Sequence, residues 1–251
     1  MKKYVSLLCV FALLAYVSTI VASQFYDLPP LPSPSQYGNV LIDRQTAEMT
    51  MPSVSFSHWS HRTRYTCRVC HFELDFMLEA NATEITEQAN RDGKYCGTCH
   101  NGEIAFGHTK DNCVNCHNFG MDGSRTRFES LKDLPYSPYG NRINWVKAID
   151  QGLIKPKASI LDENYQVMEF TSLLDIEADW GLIPGAEFPH KEHQEWLDCA
   201  NCHPEIFNIE KKTTENFDMK YNLQGKFCGA CHLRVAFPMD DCSRCHPKMS
   251  G

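Results

Sequence analysis

The chain has 251 residues, and its 24 Lys and Arg against 31 Asp and Glu give a net charge of −7 at pH 7. An acidic surface repels phosphate, so nucleic acid is excluded as a partner, and cationic docking patches or mineral surfaces fit better. The 13 cysteines and 11 histidines are the residues that carry the chemistry of this chain.

Residues 1–23 have the pattern of a secretory signal peptide. Two lysines precede an apolar run from Tyr4 to Ala22 that ends in small residues suited to cleavage. Cleavage removes two Lys and no acid, which takes the net charge from −7 to −9. Cys9 lies in this run without the flanking residues of a lipoprotein site. The segment predicts export to the periplasm, the extracellular space or the outer surface; an uncleaved anchor is the alternative, since the run is long.

Residues 24–52 are predicted to be a Pro-rich tether, stiff and extended through Leu28–Pro34. Residues 53–120 form the first of two repeated units, and residues 186–251 form the second. Each unit opens on Phe-x-His-x-x-His and then contains three Cys-x-x-Cys-His motifs. Residues 121–185 are a connector that contains neither Cys nor His.

Within the connector, Asn144–Gln151 predicts a short helix ended by Gly152. A second amphipathic stretch covers Tyr165–Ile176. The connector's aromatic side chains indicate an ordered strap packed on the repeated units rather than a loose linker. The candidates for this packing are Tyr136, Tyr139, Trp145 and Trp180.

The motif Cys-x-x-Cys-His has the spacing for covalent attachment of haem c. Two cysteines three positions apart each form a thioether to one porphyrin, and the adjacent imidazole binds the iron as proximal ligand. Zinc sites, thioredoxin-like redox pairs and secreted disulfides are the alternatives. None of them requires a His after the second Cys, and all six motifs have one. The pattern therefore predicts six covalently bound haem c groups.

The predicted attachment residues are Cys67, Cys70, Cys96, Cys99, Cys113, Cys116, Cys199, Cys202, Cys228, Cys231, Cys242 and Cys245. The predicted proximal ligands are His71, His100, His117, His203, His232 and His246.

Five histidines remain for six distal positions, and they are His58, His61, His108, His190 and His193. Met239 is the sixth candidate. When the Ala-Phe dipeptides that follow the second and fifth motifs are aligned, Met239 falls at the position of His108. A lone Met is usually core filling, but this parallel and the missing sixth ligand favour a ligand role.

The two His-x-x-His sequences predict short helices, since Ser57 and Pro189 just before them suit a helix start. Residues three apart share one helix face, so the two imidazoles can bind two different irons. Each unit has only about sixty residues, too few for an ordinary side-chain core. The expected fold is therefore small and mostly α, with extensive coil and a haem-dominated core.

The combination of His-x-x-His with three following Cys-x-x-Cys-His motifs resembles the class III multihaem cytochromes, specifically the three-haem cytochrome c7 subgroup, here in tandem. The resemblance covers about 56–117 and 188–246. The family's third distal His often lies before the second motif, whereas His108 and Met239 lie after it. The axial pairs that the resemblance implies are His58–His71, His61–His100, His108–His117, His190–His203, His193–His232 and Met239–His246.

The resemblance implies periplasmic or extracellular electron carriage in anaerobic respiration, to metals or other external acceptors. The expected partners are other cytochromes and inner- or outer-membrane electron-transfer complexes, with a mineral acceptor and self-assembly left open. Bis-His ligation indicates low potentials and a Met ligand raises the potential, so the haem at His246 is expected to be the most oxidising.

Two other functions are weighed against a non-catalytic electron carrier. A multihaem reductase needs one five-coordinate haem, and only the Met239 position leaves such an opening. An extracellular filament subunit would stack haems between protomers, and some such subunits borrow a histidine from a neighbour. Borrowing is not needed here if Met239 is a ligand.

Overall fold

The computed structural model describes residues 28, 30–46, 51–119, 123–178, 183–210 and 214–249. Pro32–Gly251 form one compact unit; of the other unit, Met1–Leu31, only Leu28, Pro30 and Leu31 are described. The predicted signal peptide with Cys9, and Trp180 of the connector, lie outside the described residues. Among the described residues, no helix has the length and apolar character needed to cross a membrane.

Each His-x-x-His helix follows a two-stranded antiparallel hairpin. In the first copy, β1 (Asn39–Ile42) pairs with β2 (Val54–Ser57), and α1 (His58–Arg62) continues from β2. Both helices were predicted and are confirmed, but the hairpins were not. β1 lies in the segment predicted to be a tether, and Tyr37 just before it is only 2% exposed.

In the second copy, β3 (Leu173–Ile176) pairs with β4 (Ala186–Pro189), and α6 (His190–Gln194) follows. The amphipathic stretch predicted over Tyr165–Ile176 has regular structure only in β3. Side chains along β3 alternate between exposed and half-buried. This alternation is expected when successive side chains point to opposite faces of a strand and only one face packs on the protein.

The remaining elements are short and lie mainly around the cysteine motifs, which confirms the predicted fold class of short helices and extensive coil. The α-helices are α2 (Glu87–Arg91), α3 (Cys113–Cys116), α4 (Gly123–Glu129), α5 (Trp145–Asp150), α7 (Met219–Leu223), α8 (Gly229–His232) and α9 (Cys242–Cys245). A π-helical turn covers Val69–Glu73, and 3₁₀ turns cover Tyr95–Thr98, Lys110–Asn112 and Cys199–Asn201.

Helix α5 confirms the prediction for the connector. The Asn144 side chain accepts a hydrogen bond from the backbone N–H of Lys147 at 3.1 Å, which caps the first turn. Gly152, with φ +67°, ends the helix in the left-handed conformation that glycine adopts without strain. Helix α4 was not predicted.

The side-chain core is small and central, and the connector supplies most of it. Its buried residues are Trp59, Ile143, Trp145, Ala148, Ile154 and Trp196. Trp59 comes from the first repeated unit and Trp196 from the second, so the connector holds the two units together. Trp145 packs in this core with residues of both units, whereas the Tyr136 side chain is 68% exposed.

Arg68 ties the first unit to the connector and the second unit. Its guanidinium pairs with Glu73 and with Asp198, 3.0 Å away, donates to the Ala158 carbonyl at 3.0 Å, and lies 3.9 Å over the ring of Tyr165. The backbone N–H of Arg68 also donates to the Trp196 carbonyl at 2.9 Å. Both Nε and Nη1 of this buried cation are thereby paired.

Candidate haem-binding sites

Each cysteine motif folds as a tight turn that brings its two cysteines and its histidine together. In the second to sixth motifs, the backbone N–H of the His donates to the carbonyl of the first Cys at 2.8–2.9 Å. This i to i+4 bond puts the first Cys and the His above one another on the same side of the turn. In the first motif, Cys70 and His71 lie within the π-helical turn Val69–Glu73.

The motif thiols are free; nine are half-buried, and Cys113, Cys199 and Cys242 are exposed. Burial raises the pKa of Cys70, Cys228 and Cys231 to about 12 and that of Cys96 to about 11. They are therefore neutral and apolar in character, as suits groups that face a porphyrin edge. Among the described residues, no three His, Cys, Asp or Glu side chains are grouped so as to hold a bare metal ion.

The Nδ1 atom of every motif histidine is hydrogen-bonded to a backbone carbonyl. Because a carbonyl only accepts, the ring proton must lie on Nδ1, and the lone pair is left on Nε2 for a metal. The acceptors are Phe76 O for His71 (2.7 Å), Phe106 O for His100 (3.1 Å), Pro52 O for His117 (2.7 Å), Phe207 O for His203 (2.7 Å), Phe237 O for His232 (2.9 Å) and Pro184 O for His246 (2.8 Å).

Four of the five predicted distal histidines are held in the same way. Their acceptors are Gly38 O for His58 (2.9 Å), Ser57 O for His61 (3.1 Å), Ser172 O for His190 (3.1 Å) and Pro189 O for His193 (2.8 Å). Gly38 and Ser172 each directly precede a hairpin's first strand. The unpredicted hairpins therefore orient the first imidazole of each His-x-x-His helix.

Three of the predicted axial pairs face each other across a gap of similar width. The ring centroids are 6.3 Å apart for His58–His71, 6.2 Å for His61–His100 and 6.1 Å for His193–His232. A nitrogen–metal bond of about 2 Å on each side, plus about half of each ring, gives a centroid separation of about 6 Å. These pairs therefore fit one iron each.

Burial also keeps these imidazoles neutral, the form that binds a metal. Desolvation lowers the pKa of His58 to about 3 and that of His232 to about 4. The same cause lowers the pKa of the other members of the three pairs, His61, His71, His100 and His193.

A phenylalanine before each helix supports both of its histidines. The Phe56 ring lies 4.9 Å from His58 at 86° and 4.5 Å from His61 at 32°. The Phe188 ring makes the same two contacts in the second unit, at 4.8 Å and 90° with His190 and 4.3 Å and 34° with His193. The sequence repeat is thus also a repeat of geometry.

The two residues predicted to complete the ligand set differ from the others. Of the eleven histidines, all of which are described, only the ring of His108 makes no hydrogen bond to the rest of the described chain. Met239 is 8% exposed and follows the fully buried Pro238. The pairs His108–His117, Met239–His246 and His190–His203 stay predictions.

The sites of the two units adjoin. Asn201, in the fourth motif, donates from its side chain to the His71 carbonyl in the first motif at 2.9 Å. Burial, and then the nearby thiols of Cys67 and Cys202, raise the pKa of Cys231. Cysteines of the first, fourth and fifth motifs therefore lie close together where the units meet.

Sequence reasoning missed the residues that orient the imidazoles. Pro52 and Pro184 each lie six residues before a His-x-x-His, and their carbonyls hold the last histidine of each unit. The equal offset is visible once the two units are aligned. A backbone carbonyl needs no particular side chain, however, so composition alone did not point to these positions.

Repeated attachment turns and paired imidazoles oriented through Nε2 define a multihaem c-type cytochrome. The family model described as cytochrome c7 and related cytochrome c matches residues 54–118 and 186–247, just over half of the chain. The chain belongs to this family, with two c7-type segments in tandem. It is accordingly an electron-transfer protein that binds haem c covalently, and it exchanges electrons with redox partners.

Solved structures similar to this chain are fragments of one multihaem protein. The C-terminal hexaheme fragment of GSU1996 is 27% identical, with 83% of this chain and 96% of that chain covered and a TM-score of 0.28. The N-terminal hexaheme fragment is 24% identical, with 84% and 99% covered and a TM-score of 0.27. Among curated proteins, no sequence matches this chain significantly.

Proposed function

We propose that the chain is a hexahaem electron carrier in which every iron has two strong axial ligands from this chain. The observation that carries the proposal is the separation of 6.1–6.3 Å between the rings of three imidazole pairs. An iron bound on both faces has no open position for a substrate, which favours electron transfer over catalysis. Each haem supplies a one-electron couple between Fe(III) and Fe(II).

The protein's own residues orient the ligands. Carbonyl acceptors orient ten of the eleven histidine rings, all but that of His108, so little rearrangement of these rings would accompany a change of iron charge. Residues 53–120 and 186–251 would each hold three haems, with 121–185 as the strap between them. The contact between Asn201 and the His71 carbonyl supports transfer from one unit to the other.

The acidic chain, with a net charge of −7, fits docking to cationic patches of other cytochromes or of membrane complexes. We infer export to the periplasm, the extracellular space or the outer surface, with a role in anaerobic respiration to metals or other external acceptors. Covalent haem attachment outside the bacterial cytoplasm agrees with the predicted signal peptide.

The test is to produce the full chain in a host that attaches haem c, and to measure its mass and its response to CO. Six haem masses and no CO adduct on the reduced protein are expected. Fewer than six haems, or CO binding by a fraction of them, would contradict the proposal.

A multihaem oxidoreductase is the second candidate function. The observation that supports it is the ring of His108, which makes no hydrogen bond to the rest of the described chain. If His108 does not bind the iron at His117, that haem has an open face. CO binding by one haem in six, unchanged by His108→Ala, would support this candidate. CO binding that appears only in His108→Ala would instead support the electron carrier.

A further inference from the structure

One peptide group in the first unit is hydrogen-bonded on both sides. Its carbonyl, that of Phe76, accepts from Nδ1 of His71 at 2.7 Å. Its N–H belongs to Met77 and donates to the Thr83 hydroxyl at 2.8 Å. A backbone N–H only donates, so the hydroxyl oxygen is the acceptor. This threonine bridge joins a motif histidine to a threonine through a single rigid peptide plane.

The second unit contains the same threonine bridge. The Phe207 carbonyl accepts from Nδ1 of His203 at 2.7 Å, and the N–H of Asn208 donates to the Thr214 hydroxyl at 2.9 Å. His71 and His203 are the histidines of the first motif in each unit. The bridge therefore acts on the corresponding imidazole twice.

The threonine keeps its distance from the peptide although the peptide itself shifts along the repeat. In both units the threonine lies six residues after the residue whose N–H it binds. Both segments have the sequence Phe-x-Leu/Ile-Glu-x-x-x-Thr-Glu. The accepting carbonyl, however, lies five residues after His71 and four after His203. The two units thus share the bridge itself rather than a fixed position for it.

Aromatic contacts hold the phenylalanine of each bridge. The Phe76 ring lies 5.4 Å from that of Tyr95, and the Phe207 ring lies 5.7 Å from that of Phe227. Tyr95 and Phe227 directly precede the middle motif and have φ values of +49° and +48°. This conformation is strained for a bulky side chain. Its recurrence indicates that these rings are required where they lie, against the bridge.

The middle motif of the second unit cannot form a threonine bridge. His232 donates from Nδ1 to the Phe237 carbonyl at 2.9 Å, but the next residue is Pro238. Proline has no N–H, so nothing can be donated from the other side of that peptide. The bridge therefore distinguishes the first motif of this unit from its middle motif.

We propose that Thr83 and Thr214 are positioning residues that set how strongly His71 and His203 bind iron. The inference rests on the proposed function, because it requires these imidazoles to be haem ligands. A hydrogen bond at the peptide N–H polarises the carbonyl, since linked hydrogen bonds strengthen one another. A stronger acceptor at Nδ1 makes the imidazole a more basic ligand through Nε2.

The consequence is a lower reduction potential at these two haems. A more basic ligand stabilises ferric over ferrous iron, and hydrogen bonding around the ligand is one of the means by which a protein tunes a haem. Each threonine therefore makes the haem at its own histidine harder to reduce.

Thr83→Val tests the proposal, because valine has nearly the same shape and no acceptor. In redox titration of the fully loaded protein, the ratio of reduced to oxidised haem at the former midpoint of one haem should rise about threefold. Thr214→Val should raise the ratio at a different haem. Thr83→Ser keeps the hydroxyl and should restore the wild-type ratio.

The matched control is Thr86→Val. The Thr86 hydroxyl accepts from the backbone N–H of Ala89 at 3.1 Å, a bond of the same kind at the start of α2. The carbonyl of that peptide, Gln88 O, accepts from the N–H of Asp92 instead of from a histidine. Thr86→Val should leave every potential unchanged.

Amide hydrogen exchange of Met77, followed by NMR on the reduced protein, reads the bridge directly. The amide should be protected in the wild type and in Thr83→Ser, and should exchange faster in Thr83→Val. An unprotected amide in the wild type would overturn the proposal without any variant.

Unchanged potentials in both valine variants would also overturn the proposal, as would a change equal to that in Thr86→Val. Haem content and CO binding are measured on every sample. Six haems without a CO adduct, together with unchanged potentials in the valine variants, would overturn this inference alone. Fewer than six haems in the wild type would contradict the proposed function.

Discussion

A Cβ atom at Gly97 would lie 1.8 Å from the carbonyl oxygen of Asn90. The second unit repeats the relationship, with Gly229 and the Asn222 carbonyl at 1.9 Å. In both units, the helix before the middle motif ends directly against the residue that follows the first cysteine. This contact fixes the middle motif against that helix.

Gly97→Ala should therefore destabilise the first unit strongly. The obstacle is backbone, which cannot move aside like a flexible side chain, so we expect a loss of about 3 kcal/mol in the free energy of unfolding. Urea unfolding followed by circular dichroism measures it. Val114→Ala is the matched control at the same place in the third motif, where the side chain is 55% exposed; an equal loss in both variants would contradict the account.

Arg68→Met should weaken the junction between the units. The Glu73 side chain, 4% exposed, would keep its charge without its buried partner, which costs about 3–5 kcal/mol. Glu73→Gln in the same chain should recover part of the loss.

The control for Arg68 is Arg91→Met. Arg91 pairs with Glu87 on the surface, where the two side chains are 51% and 70% exposed. Exposed pairs contribute at most about 1 kcal/mol. A loss of similar size in Arg68→Met and Arg91→Met would show that Arg68 does not join the units.

Tyr37→Phe tests whether the segment before β1 is part of the folded protein. The Tyr37 hydroxyl donates to the Ala236 carbonyl at 2.7 Å, and burial raises its pKa, so it stays protonated and donates. Loss of this hydrogen bond should lower the free energy of unfolding by about 1 kcal/mol. Tyr37→Ala should lower it by about 3–5 kcal/mol. Tyr136→Phe, at a 68% exposed position, should leave the unfolding free energy unchanged.

Much of this architecture could be predicted because its determinants are local. The helices at His58 and His190 follow from three-residue spacing, and helix α5 follows from Asn144 and Gly152. The hairpins could not be predicted, because four-residue strands such as β1 and β3 carry almost no pattern of their own. Their pairing depends on contacts with residues 10–18 positions away in the sequence.

The candidate site divides in the same way. The cysteines and histidines of the six motifs are recognised from their spacing in the sequence. The carbonyls of Gly38 and Ser172 are backbone groups, so no particular side chain marks their positions. Arg68 and Asp198 are 130 residues apart in sequence, so their pairing appears only in the fold. Aromatic character alone does not tell a packed ring such as that of Trp145 from an exposed one such as that of Tyr136.

Met239→His should lower the highest of the haem potentials. A thioether ligand favours the ferrous iron more than an imidazole does, so the haem at His246 should lose its position as the most oxidising group. Axial ligands set haem potentials over about 0.8 V, and a fall on the order of 100 mV is expected. Redox titration measures it, with Met77→Leu at a 53% exposed position as the control. An unchanged highest potential would remove Met239 from the ligand set.

The central claim is that this chain alone supplies two axial ligands to each of six haems. Near-infrared magnetic circular dichroism of the oxidised protein, normalised to the haem content of the same sample, tests it most directly. The account predicts six low-spin haems per chain, with five bis-histidine signals and one histidine–methionine signal. A high-spin signal from one haem in six, or fewer than six haems, would contradict it.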